Sequence, residues 1–413
     1  MALVLLLLAS SAFAADWPQW LGPNRDGVSP ETTRLADRPD PKEIWRASVG
    51  LGPSSLVVAG GRCCVMGYTG GLEDPHGTDT VWCLSAETGE IVWKHSYDCK
   101  GCESQDVKFA GPRATPTVDG NAVYTLSLMG QLFCLDAATG KVLWSKDLVK
   151  DLGGKVPGFY GYCCSPLVYG EKLILEVNSK GGDYVALDKA TGKVLWQASA
   201  NRATCASPVL TEIDGAPCVL FVSASTLCGI DPATGRQLWS QGLPWIHWMG
   251  PGAVSGNKVF VSSASLSRGC ALVRIEKNKP QIVWQDQRKF QTLHCNAVYW
   301  KGHLYGFDNR GTDYSKQDDR KSSLKCLDFE TGEEKWSKTG MGWGNLILAD
   351  GKLVILREGG EVVVAEATPA EYRERSRTPV LRGPCWTVPA LAAGRLCLRS
   401  NAGDVVCLDM RAP

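Results

Sequence analysis

The sequence predicts an all-β fold, an eight-bladed β-propeller of four-stranded antiparallel blades. Three observations predict it. A strand–turn–strand unit recurs along the chain and ends each time on a tryptophan. A glycine that opens a short apolar strand recurs eight times. No long stretch carries helical periodicity.

The unit is clearest at Ala186-Leu187-Asp188-Lys189-Ala190-Thr191-Gly192-Lys193-Val194-Leu195-Trp196. Related copies run from Cys83 to Trp93, Cys134 to Trp144, Gly229 to Trp239, Arg274 to Trp284 and Cys326 to Trp336. Asp or Ser opens a tight turn and Thr-Gly closes it, because glycine tolerates the positive φ such a turn needs. The Trp eight residues after the Asp position has the apolar area to anchor one repeat against the next. Tryptophans at 45, 93, 144, 196, 239, 284 and 336 are spaced by 43 to 52 residues, which suits four short strands per repeat.

The glycine marker falls at Gly61, Gly120, Gly170, Gly215, Gly256, Gly302, Gly351 and Gly394, giving eight blades. The last blade ends at Val405-Val406-Cys407-Leu408-Asp409 with no outer strand after it. Glu43-Ile44-Trp45-Arg46 reads as an outer strand with nothing before it. Pairing the two closes the ring and hides sheet edges that would otherwise invite aggregation. The blade near residues 342–378 is degenerate: Glu374 stands at the expected Trp position, so stacking there should be weaker.

The 413 residues divide into a signal peptide (1–14), an N-terminal extended segment (15–42) and the propeller (43–413). Residues 1–14, MALVLLLLASSAFA, have an apolar run and a small-x-small cleavage site at Ala12-Phe13-Ala14, although no Lys or Arg precedes the run. The run is too short to span a membrane, and the expected mature chain starts at Ala15 in the periplasm or outside the cell. The stretch DWPQWLGPNRDGVSP that follows places Trp17 and Trp20 to cover one end of the ring or to form a lid. Lys and Arg number 44 and Asp and Glu 43, for a net charge of +1. With no basic run, neither nucleic acid nor an anionic membrane surface is an expected partner.

The unit A-x-D-x-x-T-G-K-x-x-W resembles the tryptophan-docking repeat of pyrroloquinoline quinone (PQQ) enzymes and their non-enzymatic relatives. The opening Asp16-Trp17-Pro18-Gln19-Trp20 with Gly22-Pro23-Asn24-Arg25-Asp26-Gly27 is similar to exported PQQ-like propellers of planctomycete-type bacteria. The resemblance covers nearly the whole mature chain and implies the fold strongly and the activity weakly. Quinoprotein dehydrogenases need oxygen ligands for a hard cation beside the quinone, and a carboxylate base. No such ligand set or base is recognisable here. The family's enzymes also place a disulfide between adjacent cysteines against the cofactor. Of the two adjacent pairs, Cys63-Cys64 is mid-strand, where alternation sends the side chains to opposite faces. Cys163-Cys164 sits before an innermost strand, near the channel.

Seventeen cysteines cannot all pair within one chain. Cys83, Cys134, Cys326 and Cys407 share a repeat position occupied elsewhere by Ala186 and Gly229, and read as small buried hydrophobes. Cys99-Lys100-Gly101-Cys102 lies in a polar loop. A local Cys99–Cys102 disulfide is the expected reading, with a redox pair or half a metal site as alternatives.

A ligand is expected on the face formed by the connections between blades. There Arg113, Tyr160, Tyr162, His247, Trp248, His294, Trp343 and Trp386 would ring the channel mouth. The five histidines have no ligand-like spacing, so no metal site is expected. Two functions follow. The first is a non-catalytic exported propeller, monomeric, binding a protein, peptide or small molecule at this face. It resembles the scaffold propeller of the outer-membrane barrel-assembly machinery, without that protein's lipid-anchoring cysteine. The second is a PQQ-dependent alcohol or sugar dehydrogenase, with PQQ and calcium as cofactors.

Overall fold

The computed structural model describes residues 15–31, 41–70, 76–100, 110–158, 160–199, 204, 206–223, 225–245, 251–263, 269–292, 297–309 and 322–411. They form eight four-stranded antiparallel sheets. Blades 1 to 7 span residues 57–100, 117–147, 167–198, 209–242, 251–286, 298–339 and 344–379. Blade 8 combines 390–409 with the strand Lys42–Ser48, which pairs with Asp404–Asp409 and sets Trp45 opposite Cys407. The ring therefore closes as the sequence predicts. One short helix, Leu148–Leu152, follows blade 2, with Asp147 as its N-cap. Among the described residues no helix is long and apolar enough to cross a membrane.

The repeat unit is an inter-blade joint. Asp188 Oδ1 accepts from the amides of Ala190 and Thr191 and from the Thr191 hydroxyl, at 3.1, 2.8 and 2.7 Å. The Asp188 carbonyl accepts from the Gly192 amide at 2.8 Å. Gly192 has φ +70°, and a Cβ there would lie 2.9 Å from the indole of Trp144 in the preceding blade. Glycine is thus required for the turn and for the stacked ring. The Trp144 indole N–H donates to the Lys189 carbonyl within the same turn, at 3.0 Å. Trp45, Trp93, Trp196, Trp284 and Trp336 make the same bond to Ala86, Ala137, Pro232, Phe329 and Thr368 of the next blade.

Two repeat positions are corrected by the register. In blade 5, Trp284 faces Leu272, so Arg274 occupies the Asp position rather than the start of the unit. The turn is replaced by a tight hairpin through Lys277 and Asn278, with φ +50° and +58°, the conformation of a type I′ turn. Trp239, which precedes this blade, accordingly has no carbonyl of the next blade for its indole N–H, which lies against the Cys218 thiol instead. In blade 7 the residue at the Trp position is Ser376, opposite Val364, and not Glu374. The connection there is two residues longer than in the Asp-Thr-Gly turns, and a fixed count from Glu366 stops short. Glu374 instead accepts from Arg377 at 2.9 and 2.8 Å and from the Tyr372 hydroxyl at 2.6 Å.

The apolar core lies between blades. One buried cluster joins blades 7, 8 and 1, and six others join each remaining pair of neighbours. Cys63 faces blade 8 and Cys64 faces blade 2, the opposite-face arrangement that strand alternation predicts.

Residues 16–31 form a strap across the end of the ring that carries the short hairpins. Trp17 bridges Val58 in blade 1, and the Pro18 carbonyl accepts from Val118 of blade 2. Ser29 donates to Leu348 in blade 7, and Glu31 accepts from Gly394 in blade 8. Arg25 reaches inward and is fully buried. Its guanidinium donates to the carbonyls of Ser165 (3.3 Å), Pro166 and Pro208 (2.9 Å), and to Gln19 Oε1 (2.8 Å). Beside it, hydroxyls join successive blades around the axis. Ser165 Oγ accepts from the Thr115 amide, Ser207 Oγ from the Ser165 amide and Ser55 Oγ from the Val388 amide. Covering one end of the ring is therefore a bonded, multi-blade contact.

Candidate functional site: the inter-blade loop face

The connections between blades place Arg113 and Tyr160 together. Arg113 Nε donates to the Tyr160 carbonyl at 3.1 Å, and its guanidinium lies 5.4 Å from the centroid of the Tyr160 ring. Both side chains are half-buried, so a cation and an aromatic face are presented as one unit. Trp343 and Trp386 form a second pair, with centroids 6.5 Å apart. The Trp386 indole donates to Glu358 Oε1 at 2.8 Å, from the turn joining the two middle strands of blade 7. Each tryptophan is 7% exposed, so this pair mainly seals the connection. Tyr162 departs from the expectation. It is fully buried, its hydroxyl donates to the Val177 carbonyl at 2.9 Å, and it belongs to the core between blades 2 and 3. A phenol with an internal acceptor packs as readily as phenylalanine, which is why an aromatic in this loop is not by itself a site residue. His247, Trp248 and His294 lie outside the described residues, as does Cys102. Cys99 is buried, against the carboxyl of Asp79.

Three buried polar groups near the same face escaped the sequence reading. Glu176, in the strand Lys172–Ser179, is fully buried, and neither carboxylate oxygen has a hydrogen-bond partner. Burial, reinforced by Cys163 and Asp183, holds its carboxyl protonated well above the ordinary range. Asp79 is 1% exposed, and burial raises it to about 7 against the lowering effect of the Cys99 thiol. Lys325 is buried between Asp308 at 3.0 Å and Glu334 at 2.7 Å. In each case the residue sits within a strand, and the signal is a charged letter at an inward position.

Among the described residues no group of three His, Cys, Asp or Glu side chains is placed to hold a metal ion. Glu176 has Asp183 near enough to raise its carboxyl, but the two do not make a group of three. No carboxylate cluster among the described residues therefore marks a calcium site beside a quinone. Cys163 and Cys164 form no disulfide with each other, and their Sγ atoms are directed to the carbonyls of Tyr160 and Ser165 respectively.

Comparison with known proteins supports two kinds of relative. The chain is 26% identical over 167 residues to the quinoprotein ethanol dehydrogenase of Pseudomonas aeruginosa, covering 36% of this chain and 24% of that one. It is 24% identical over 276 residues to outer membrane protein assembly factor BamB of Moranella endobia, covering 61% of this chain and 64% of that one. The chain thus spans less than two thirds of the length of either protein. Among solved structures, BamB of Moraxella catarrhalis superposes with a TM-score of 0.62 at 16% identity, over 90% of this chain and 100% of that one. The quinohemoprotein alcohol dehydrogenase of Comamonas testosteroni gives 0.66 at 13% identity, over 96% of this chain and 81% of that one. At these identities the superpositions speak for the shared propeller fold. The model of the family described as outer membrane protein assembly factor BamB matches residues 80–312, more than half of the chain. With its eight closed blades and tryptophan joints, the chain belongs to this family of PQQ-like propellers.

Proposed function

We propose that this protein is an exported, non-catalytic propeller that binds a partner protein or peptide through its inter-blade loop face. The observation that carries the reading is the Arg113–Tyr160 unit on that face. Arginine and tyrosine are the residue types that anchor protein interfaces, and here each holds the other in place. Membership of a family described as an assembly factor supports a binding role. The N-terminal stretch with its cleavage-like Ala12-Phe13-Ala14 supports export, and the Asp16-to-Gly27 pattern supports kinship with planctomycete-type exported propellers. One observation favours a second reading, a PQQ-dependent alcohol or sugar dehydrogenase: Glu176 is a buried carboxyl with no protein partner.

The test is photocrosslinking in the cells that make the protein. A photoreactive phenylalanine analogue replaces Tyr160 in one variant and Glu171, on the hairpin face, in another. The expected result is a discrete crosslinked species from position 160 that Arg113→Glu abolishes. Crosslinks from 171 alone, or from neither position, contradict the assignment.

A further inference from the structure

Cys64 and Cys83 stand directly opposite each other on the adjoining strands Arg62–Gly70 and His76–Ser85. Opposed residues of an antiparallel pair have Cα atoms about 4.5–5.5 Å apart, inside the window a disulfide requires. Both side chains point into the interface with blade 2, and both are free thiols. A cavity of about 240 Å³ opens between the strap and blades 1 and 2. Its wall includes Asp16, Pro18, Arg62, Val118 and Asp119, and it reaches Cys64. Cys64, 2% exposed, is the thiol of this pre-aligned pair that borders the cavity.

We propose that Cys64 and Cys83 form a thiol–disulfide exchange site that reacts with a small disulfide entering this cavity. Cys64 is the thiol that meets the reagent, and Cys83 is the thiol that resolves the adduct. The Cys64 thiolate attacks one sulfur of the small disulfide, giving a mixed disulfide and releasing one thiolate. The Cys83 thiolate then attacks the Cys64 sulfur, closing the Cys64–Cys83 bond and releasing the second. Two protein thiols are oxidised, one small disulfide is reduced to two thiols, and the two protein protons pass to those thiols. Position on the cavity assigns the first attack to Cys64, while the electrostatics favour the thiolate at Cys83. The two thiols hydrogen-bond to each other, and that bond, with burial, pushes Cys64 up. The same bond, helped by Arg62, lowers Cys83 despite burial and favours its thiolate.

Cys397 and Cys407 supply an internal control. They are opposed in the same way in blade 8 and hydrogen-bond to each other, but Cys397 also hydrogen-bonds to Cys63, and neither lines this cavity. Shared register with unequal access separates a served site from a merely close pair.

The experiment exposes the folded, reduced protein to oxidised glutathione, quenches by alkylation under denaturing conditions and maps the peptides by mass spectrometry. The expected result is a Cys64–Cys83 disulfide appearing at least about ten-fold faster than any change at Cys397 or Cys407. Cys83→Ala should trap a single glutathione adduct on Cys64. That variant is expected to fold, since Ala186 fills the equivalent place in blade 3. Cys64→Ala should leave Cys83 reduced. Circular dichroism checks that both variants retain the native spectrum. The proposal is overturned if Cys64 stays reduced in the folded protein, or if the two pairs oxidise at the same rate, which would report general opening rather than a served site.

Discussion

Replacing Trp93 with alanine is expected to lower the stability of the ring by about 3–5 kcal/mol. The side chain is 7% exposed and packs in the core between blades 1 and 2. It stacks on Gly140, where a Cβ would lie 2.5 Å from the indole, and its N–H donates to the Ala137 carbonyl at 3.0 Å. The mutation leaves a cavity and an unpaired buried carbonyl at once. Separating the two effects needs a milder change. Trp93→Phe keeps most of the ring volume but loses the donor, and should cost about 1 kcal/mol more than Trp239→Phe, whose indole N–H meets only the weakly accepting Cys218 thiol and no carbonyl. Urea melts followed by far-UV circular dichroism measure both differences. Equal losses at 93 and 239 would show that stacking alone makes the joint.

The second large effect is expected at Arg25. Arg25→Met removes the donor shared by the carbonyls of Ser165, Pro166 and Pro208. Each buried acceptor left without a donor costs about 1–3 kcal/mol, offset by no longer burying a guanidinium, whose affinity for its proton burial lowers to about 9. The expected net loss is roughly 2–4 kcal/mol. Arg25→Lys should restore little, because one ammonium cannot reproduce a planar fork directed at three carbonyls. The strap is anchored on several blades, so its release is a distinct readout. Limited proteolysis should cut residues 15–31 of the Met variant while the blades remain intact. An unchanged melt with an uncut strap would show that Trp17, Ser29 and Glu31 hold the segment without Arg25.

The fold was legible because its joint is written locally. Asp, Thr-Gly and Trp must sit at fixed offsets for one turn to cap itself and receive the indole of the preceding blade, so the period survives in single letters. Where the turn changes, the count fails: the Lys277-Asn278 hairpin shifts Arg274, and the longer connection before Ser376 misleads a fixed step from Glu366. The ring closure through Trp45 was readable from a strand missing at one end and spare at the other. The site was much less legible. Arg113 and Tyr160 share a face because the blade order brings two connections together, and topology supplies that. Tyr162, two residues from Tyr160, turns into the core, and nothing in an aromatic loop letter separates these fates. Glu176 stands in the strand KLILEVNS, where sequence shows a charge but not that packing leaves it unpartnered. Arg25 reads as a polar residue in a loop until three carbonyls from blades 3 and 4 are seen to converge on it.

As proposed, this propeller binds through its loop face and does no quinone chemistry. The most direct measurement is a titration of the purified protein with PQQ and calcium followed by tryptophan fluorescence, with a dye-linked alcohol and sugar dehydrogenase assay on the same sample. The expected result is no saturable quenching up to high-micromolar PQQ and no substrate-dependent dye reduction. Saturable quenching at a defined stoichiometry, accompanied by dye reduction that Glu176→Gln abolishes, would contradict it and make the protein a quinoprotein dehydrogenase.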